Sequence, residues 1–248
     1  MRCWLGFAGV YAAAFAVLGV YMQFVPVWLC YVQGFDTDEL AIVLAGQTIA
    51  RTIAGPLWAQ HVDRRGEARP VLVLLAVLSL LAFAAFALTQ QVLAGFLVAV
   101  AFGCVYPPMY PILDATAVQV AAQTGFSFGR LRMVGSLSFL VVIVAAGYLL
   151  ERFGNPLVYP LVLGGFLLTA LAALGLPRSR EARLASPLRT PWWHLLRSRP
   201  LSMLLISSAL IQGSHATFYN LSTVHWQEHG IGKATAAWLW AEGILAEI

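Results

Sequence analysis

Long apolar stretches follow one another along the whole chain, parted by short polar linkers. Runs of eighteen or more apolar residues read as membrane-spanning helices, because roughly 20 helical residues cross about 30 Å of hydrocarbon. The pattern predicts seven spans and the start of an eighth. They run from Trp4 to Leu29, Leu40 to His61, Pro70 to Leu88, Val92 to Leu113, Met133 to Leu150, Leu157 to Leu176 and Leu201 to Thr223. The eighth begins near Ala234 and is still apolar at Ile248, so the chain is expected to stop inside a membrane helix. The expected fold class is an all-α, polytopic membrane protein.

Composition agrees: 60% of residues are hydrophobic and 10% charged, against about a quarter charged in a soluble domain. The net charge of +4 is unevenly placed. Linker two carries Arg64, Arg65 and Arg69, linker four Arg130 and Arg132, and linker six Arg178, Arg180, Arg183, Arg189, Arg197 and Arg199. Linkers one and three have no Lys or Arg, and linker one holds Asp36, Asp38 and Glu39. By the positive-inside rule the even linkers and the N-terminus are cytoplasmic. The basic balance therefore calls for no nucleic-acid partner. A cleaved signal peptide is the rival for the first span. Its apolar run is too long for a signal core and is broken by Tyr11, Tyr21 and Gln23. Cys3, Cys30 and Cys104 have no metal or redox spacing and are expected to pack as small apolar residues.

The longest polar stretch, PRSREARLASPLRTPWWHLLRSRP, divides the chain. Residues 1–176 are expected to form a six-helix bundle, 177–200 a basic cytoplasmic linker and 201–248 the start of a second bundle. Trp192 and Trp193 are interfacial anchors or part of a short surface helix. A repeat between the two halves of the first bundle is not visible. Spans three and six are nearly featureless, whereas one, two, four and seven hold aromatic, proline and polar residues. Bland helices face lipid and striped ones face a cavity or one another. Spans one, two, four and five are therefore expected around a cleft, with three and six outside.

Arg51 is the sharpest polar residue, about 16 Å along the axis from either end of span two. That depth defeats snorkelling, and a lipid-facing Arg there costs at least about 2.5–3.5 kcal/mol. It must face water, a carboxylate or carbonyl oxygens, which reads as an anion or carboxylate site in a central cavity or as a pairing with a buried carboxylate of the chain itself. Gln47, four residues earlier, shares its face, so the two can present donors to an anion. Gly46, Ala50 and Ala54 suit close helix packing on the neighbouring face. Phe102, Tyr106, Tyr110 and Asp114 follow at four-residue steps, and Pro107, Pro108 and Pro111 should kink or open that helix. The tyrosines stack on a substrate or simply pack. Asp114 carries a proton or pairs with Arg130 or Arg132. Ser208, Gln212, His215 and Tyr219 form a stripe on span seven, where His215 relays protons or bonds a neighbouring helix. Tyr11, Phe15, Gly19 and Gln23 share a face of span one that lines a path or packs. Glu242 and Glu247 lie deep in the eighth span as further proton-coupling candidates. His225 and His229 have metal spacing but no further ligand. No phosphate loop, nucleophile elbow or zinc signature is present, so neither an enzyme nor a cofactor is expected.

The run Asp63-Arg64-Arg65-Gly66 resembles the loop motif between helices two and three of the major facilitator superfamily, with Ala59 in place of the usual Gly and the later basic residue delayed to Arg69. FGRLRMVGSLSF, Phe128 to Phe139, resembles the start of helix five in the phenylpropionate permease-like branch and the nucleoside–proton symporters, with Val134 for a Trp and Ser138 for a Gly. LIQGSHATFYNLSTVHWQEHGIGKATAAWLWAEGILAEI is similar to helices seven and eight of that branch. The resemblance implies a major facilitator fold and a twelve-helix secondary transporter in the bacterial inner membrane. It also implies protons as the coupling partner and a small organic substrate such as an aromatic carboxylate. Asp63 and Arg64 would then gate. A non-transporting remnant or sensor and, further off, a membrane enzyme are the competing readings. Oligomeric state stays open.

Overall fold

The structure is a computed structural model and describes residues 2–89, 91–177 and 197–247. It is all-helical among these: α1 (Arg2–Tyr31), α2 (Thr37–Arg65), α3 (Ala68–Ala85), α4 (Val92–Val105), α5 (Met109–Thr124), α6 (Phe128–Phe153), α7 (Val158–Leu174), α8 (Arg199–Glu228) and α9 (Lys233–Glu247). Among the described residues six spans are long and apolar enough to cross a membrane, with α4 and α5 together forming one from Val92 to Thr124. The 30 residues of α8 are long enough too, but Gln212, His215 and several serines make it more polar. The positions 178–196, with Trp192 and Trp193, lie outside the described residues.

Local chemistry sets the helix ends. Asp36 caps α2 by accepting from the Glu39 N–H at 2.8 Å, while the Glu39 carboxylate accepts from the Asp36 N–H at 3.0 Å. This reciprocal box satisfies two donors that a helix start leaves unpaired. Gly66 ends α2 at φ 68°, a left-handed conformation that glycine enters without steric cost. The fourth span differs from its expected limits. It does not stop near Leu113 but breaks at Tyr106–Pro108 and resumes as α5 to Thr124. Consecutive prolines lack the N–H groups a continuous helix needs there.

The buried aromatic core lies between α1, α3, α4 and α7. Phe83, Phe102 and Phe166 are fully buried, and Trp28 stacks on Tyr159 at 5.4 Å. Small residues bring the backbones close. A Cβ on Gly103 would stand 2.5 Å from the Gln47 carbonyl oxygen, and one on Gly46 2.5 Å from the Phe96 ring. Ala50 and Ala54 are buried on that α2 face, so the four-residue spacing is a packing seam with α4. Tyr11, Phe15, Gly19 and Gln23 also form a packing face: Gly135 accommodates the Phe15 ring and Gly19 lies on Phe139. α3 and α7 pack on one another and carry exposed Leu74, Leu81, Leu168 and Leu171, as outward helices should.

The C-terminal pair docks on this bundle unevenly. α8 lies on α1 and α9 on α6. Trp240 Nε1 donates to Thr223 Oγ1 at 3.1 Å, joining α8 to α9. Thr223 and Val224 are buried, yet no side chain described between Leu201 and Ala216 is. α8 therefore holds the bundle with its C-terminal half and stands away from it with its N-terminal half.

Candidate functional site

That stance leaves a cavity of about 430 Å³ between α1, α2, the α4–α5 break and α8. The volume falls within the usual range for small-molecule sites, about 300–1,000 Å³. α2 contributes Leu44, Gln47, Thr48 and Arg51 to one wall. Tyr106, Pro107 and Tyr110 line it where the prolines open the helix. α1 adds Leu18, Tyr21, Met22 and Pro26, and α8 adds Gln212, Ala216, Tyr219 and Asn220. No lining residue comes from α6, contrary to the expectation for the fifth span. That helix is taken up by α1 and α9, and α8 occupies the place expected of it.

The polar groups are largely oriented by one another. Tyr21 donates to Gln47 Oε1 at 2.6 Å. Tyr110 donates to the Ala14 carbonyl at 2.8 Å, so the 2.8 Å contact between the two hydroxyls has Tyr106 as donor. Thr48 turns its proton back to Leu44 O at 2.9 Å, and Asn220 donates to Ala216 O at 2.8 Å. The rings of Tyr21 and Tyr106 meet edge to face at 5.1 Å, and Phe102 lies 5.2 Å from Tyr21. Arg51 is exposed to this space and makes no hydrogen bond or ion pair among the described residues. The wall thus pairs a cationic, donor-bearing side with an aromatic side, which suits an amphipathic anion.

Of the residues singled out by sequence, Arg51, Gln47, Tyr106, Tyr110, Gln212 and Tyr219 come together here. His215 does not line the cavity. Its Nδ1 lies 2.8 Å from Ile211 O, to which it donates, and its ring stacks on Tyr219 at 5.4 Å. Asp114 sits apart, below the tyrosines. It accepts from Tyr11 at 2.5 Å and pairs with Arg132 at 3.4 Å, while the Arg132 guanidinium covers Phe15 at 4.8 Å. The partner of Asp114 is thus Arg132 and not Arg130, whose side chain is exposed two residues nearer the start of α6. Asp63 lines a separate small cavity of about 80 Å³ against Pro111, Ala115 and Gln119, with Arg64 exposed beside it. Glu242 is exposed on α9. The side chain of Glu247 lies outside the described residues. Tyr21, Thr48 and Asn220 were not singled out as site residues by sequence. Tyr21 shows there only as an interruption in an apolar run, and Thr48 is the neighbour of Gln47.

At the far end of the bundle α6 and α9 hold each other's termini. Glu151 accepts from the Ala234 N–H at 3.0 Å, and Lys233 donates to Leu150 O at 3.2 Å. Opposite charge at each helix end complements its dipole.

The MFS_1 like family matches residues 4–248. The chain is 27% identical over 240 residues to the probable 3-phenylpropionic acid transporter of Escherichia coli (strain K12), covering 96% of this chain and 63% of that protein. It is 25% identical over 205 residues to the maltose permease of Geobacillus stearothermophilus, covering 82% and 50%. Its fold matches the crystal structure of the nucleoside transporter NupG with a TM-score of 0.80 at 16% identity, over 100% of this chain and 65% of that one. The chain spans about two thirds or less of the length of these relatives, which are transporters and not enzymes. The chain is a multi-pass membrane protein and belongs to the MFS_1 like family of major facilitator transporters.

Proposed function

We propose that this chain forms the substrate-binding half, and the start of the second half, of a secondary transporter for a small organic carboxylate with an aromatic body. Residues 1–176 are its first bundle, 177–200 a cytoplasmic linker and 201–248 the start of its second bundle. The carrying observation is Arg51, a mid-span guanidinium on the wall of a 430 Å³ cavity with no carboxylate opposite it among the described residues. A charge at that depth calls for an opposite charge, and a ligand carboxylate can accept two parallel N–H bonds from its fork. Tyr21, Tyr106 and Tyr110 offer ring faces and edges to an apolar body. One relative is named a probable transporter of 3-phenylpropionic acid, a solute of this kind.

Protons are the proposed coupling ion, the bacterial inner membrane the proposed site, and the N-terminus and even linkers are assigned to the cytoplasm. Asp114, held between Tyr11 of α1 and Arg132 of α6, is the proposed coupling residue.

Binding of 3-phenylpropionate to the chain in lipid nanodiscs tests this reading. Arg51→Lys keeps charge without the fork and should weaken binding about tenfold or more, and Arg51→Ala should abolish it. Unchanged affinity in Arg51→Ala would refute the assignment.

A further inference from the structure

We infer that Tyr21 is a positioning residue that sets the ligand charge this cavity accepts, acting through the amide of Gln47. The inference rests on the carboxylate reading of Arg51 and adds to it a reason why a neutral isostere is refused.

A glutamine is ambivalent, since its side chain ends in an acceptor oxygen and an NH₂ donor that exchange places by a half-turn. Next to Arg51 that choice matters. With the NH₂ forward, α2 offers a guanidinium and an amide donor one helical turn apart, both suited to an anion. With the oxygen forward, the amide opposes a carboxylate and welcomes N–H groups.

The hydrogen bonds fix the choice. The hydroxyl of Tyr21 donates to Gln47 Oε1 at 2.6 Å, and no other acceptor takes that proton among the described residues. Inside a membrane protein an unpaired hydroxyl is costly, so Tyr21 holds the oxygen and leaves the NH₂ of Gln47 free. Thr48 does not supply a competing donor, because its proton goes to Leu44 O. Its oxygen remains as an acceptor. If Gln47 turned over, its Oε1 and the Thr48 oxygen would form an acceptor pair suited to the NH₂ of a primary amide. Tyr21 is itself held by rings that a hydroxyl does not need: Tyr106 at 5.1 Å, Phe102 at 5.2 Å and Phe83 at 6.4 Å. Tyr21→Phe therefore keeps the packing and removes only the orienting bond.

The test compares 3-phenylpropionate with its neutral isostere 3-phenylpropanamide, binding to the chain in nanodiscs. The native protein should prefer the carboxylate. In Tyr21→Phe the ratio of the two affinities should shrink about tenfold, carboxylate binding falling and amide binding holding or rising, with the melting temperature unchanged. In a Gln47→Ala background Tyr21→Phe should have no further effect, because Tyr21 acts only through that amide. Equal losses for both ligands, or the same tenfold shift without Gln47, would overturn the role of Tyr21 while leaving Arg51 in place. A native protein that binds the two probes equally, or an Arg51→Ala variant that keeps carboxylate affinity, would overturn the anion site and this inference with it.

Discussion

Asp114 ties three helices together, and its substitutions separate two kinds of stabilisation. Its Oδ1 takes the proton of Tyr11, which is 0% exposed, and its Oδ2 pairs with Arg132 at 3.4 Å. Asp114→Ala strands the Tyr11 hydroxyl in the core, at about 1–3 kcal/mol. The lost ion pair adds little. Both side chains are more than a third exposed, at 43% and 36%, and such pairs are worth about 0–1 kcal/mol. Arg132 also keeps its place over the Phe15 ring. The total for Asp114→Ala is then about 1–4 kcal/mol. Asp114→Asn retains an oxygen for Tyr11 and gives up only the charge, so it should lose about 1 kcal/mol or less. Tyr11→Phe removes the stranded donor, so the double variant Tyr11→Phe, Asp114→Ala should recover most of the loss. Equilibrium unfolding in mixed micelles, followed by tryptophan fluorescence, measures all four proteins. If Asp114→Asn is as damaging as Asp114→Ala, or Tyr11→Phe gives no rescue, the charge pair dominates and the hydrogen-bond account is wrong.

Gly103→Val would drive a side chain into the Gln47 carbonyl, where even a Cβ stands 2.5 Å away; folding yield in membranes should fall severely, and a wild-type yield would contradict the close α2–α4 seam. Glu151→Ala should loosen α9 from α6 by about 1 kcal/mol, read as faster amide exchange at Ala234–Ala237, and unchanged exchange would show that the capping contact is idle. The N-terminal half of α8, with no buried side chain between Leu201 and Ala216, should exchange its amides faster than α1; the reverse order would contradict its open stance. Orientation is checked by single cysteines at exposed Gln123 and Asp38 in a background lacking the native three. An impermeant thiol reagent applied to intact cells should label only the second, and labelling of the first would reverse the assigned topology.

The helices were legible because lipid imposes a minimum apolar length that few soluble segments imitate. The break at Pro107 and Pro108 was legible too, since missing N–H groups are a covalent fact. Its consequence for length was not. Hydropathy fades after Leu113, but Thr116 and Thr124 return their hydroxyls to carbonyls four residues back, and α5 continues. The placement of α6 was misjudged for a different reason. Polarity says that a helix has something to hide, and the choice of neighbour depends on small residues that meet across the chain. Gly135 receives Phe15 and Gly147 receives Ala237, so α6 closes on α1 and α9, and its remaining face, with Leu137 and Val141, is exposed and does not line the cavity.

Within the site, depth alone exposed Arg51, and four-residue spacing attached Gln47 to it. The stripe on α8 was read with two members too many, Ser208 and His215, neither of which lines the cavity. At about 100° per residue, Gln212 and Tyr219 lie within about 20° of each other, and Ala216 and Asn220 continue toward one side. His215 falls about 60° to the other side and turns to its own backbone. Tyr21 carries no such signal. Among the tyrosines of span one, Tyr11 had the regular spacing, and it proved to serve Asp114. What marks Tyr21 is a hydrogen bond to a residue 26 positions away, and periodicity along one helix holds no information about it. The residue types that hold a charge can thus be read from the chain. The residues that orient them appear only when the helices are set side by side, and here the orienting bond from α1 to α2 decides which end of Gln47 a ligand meets.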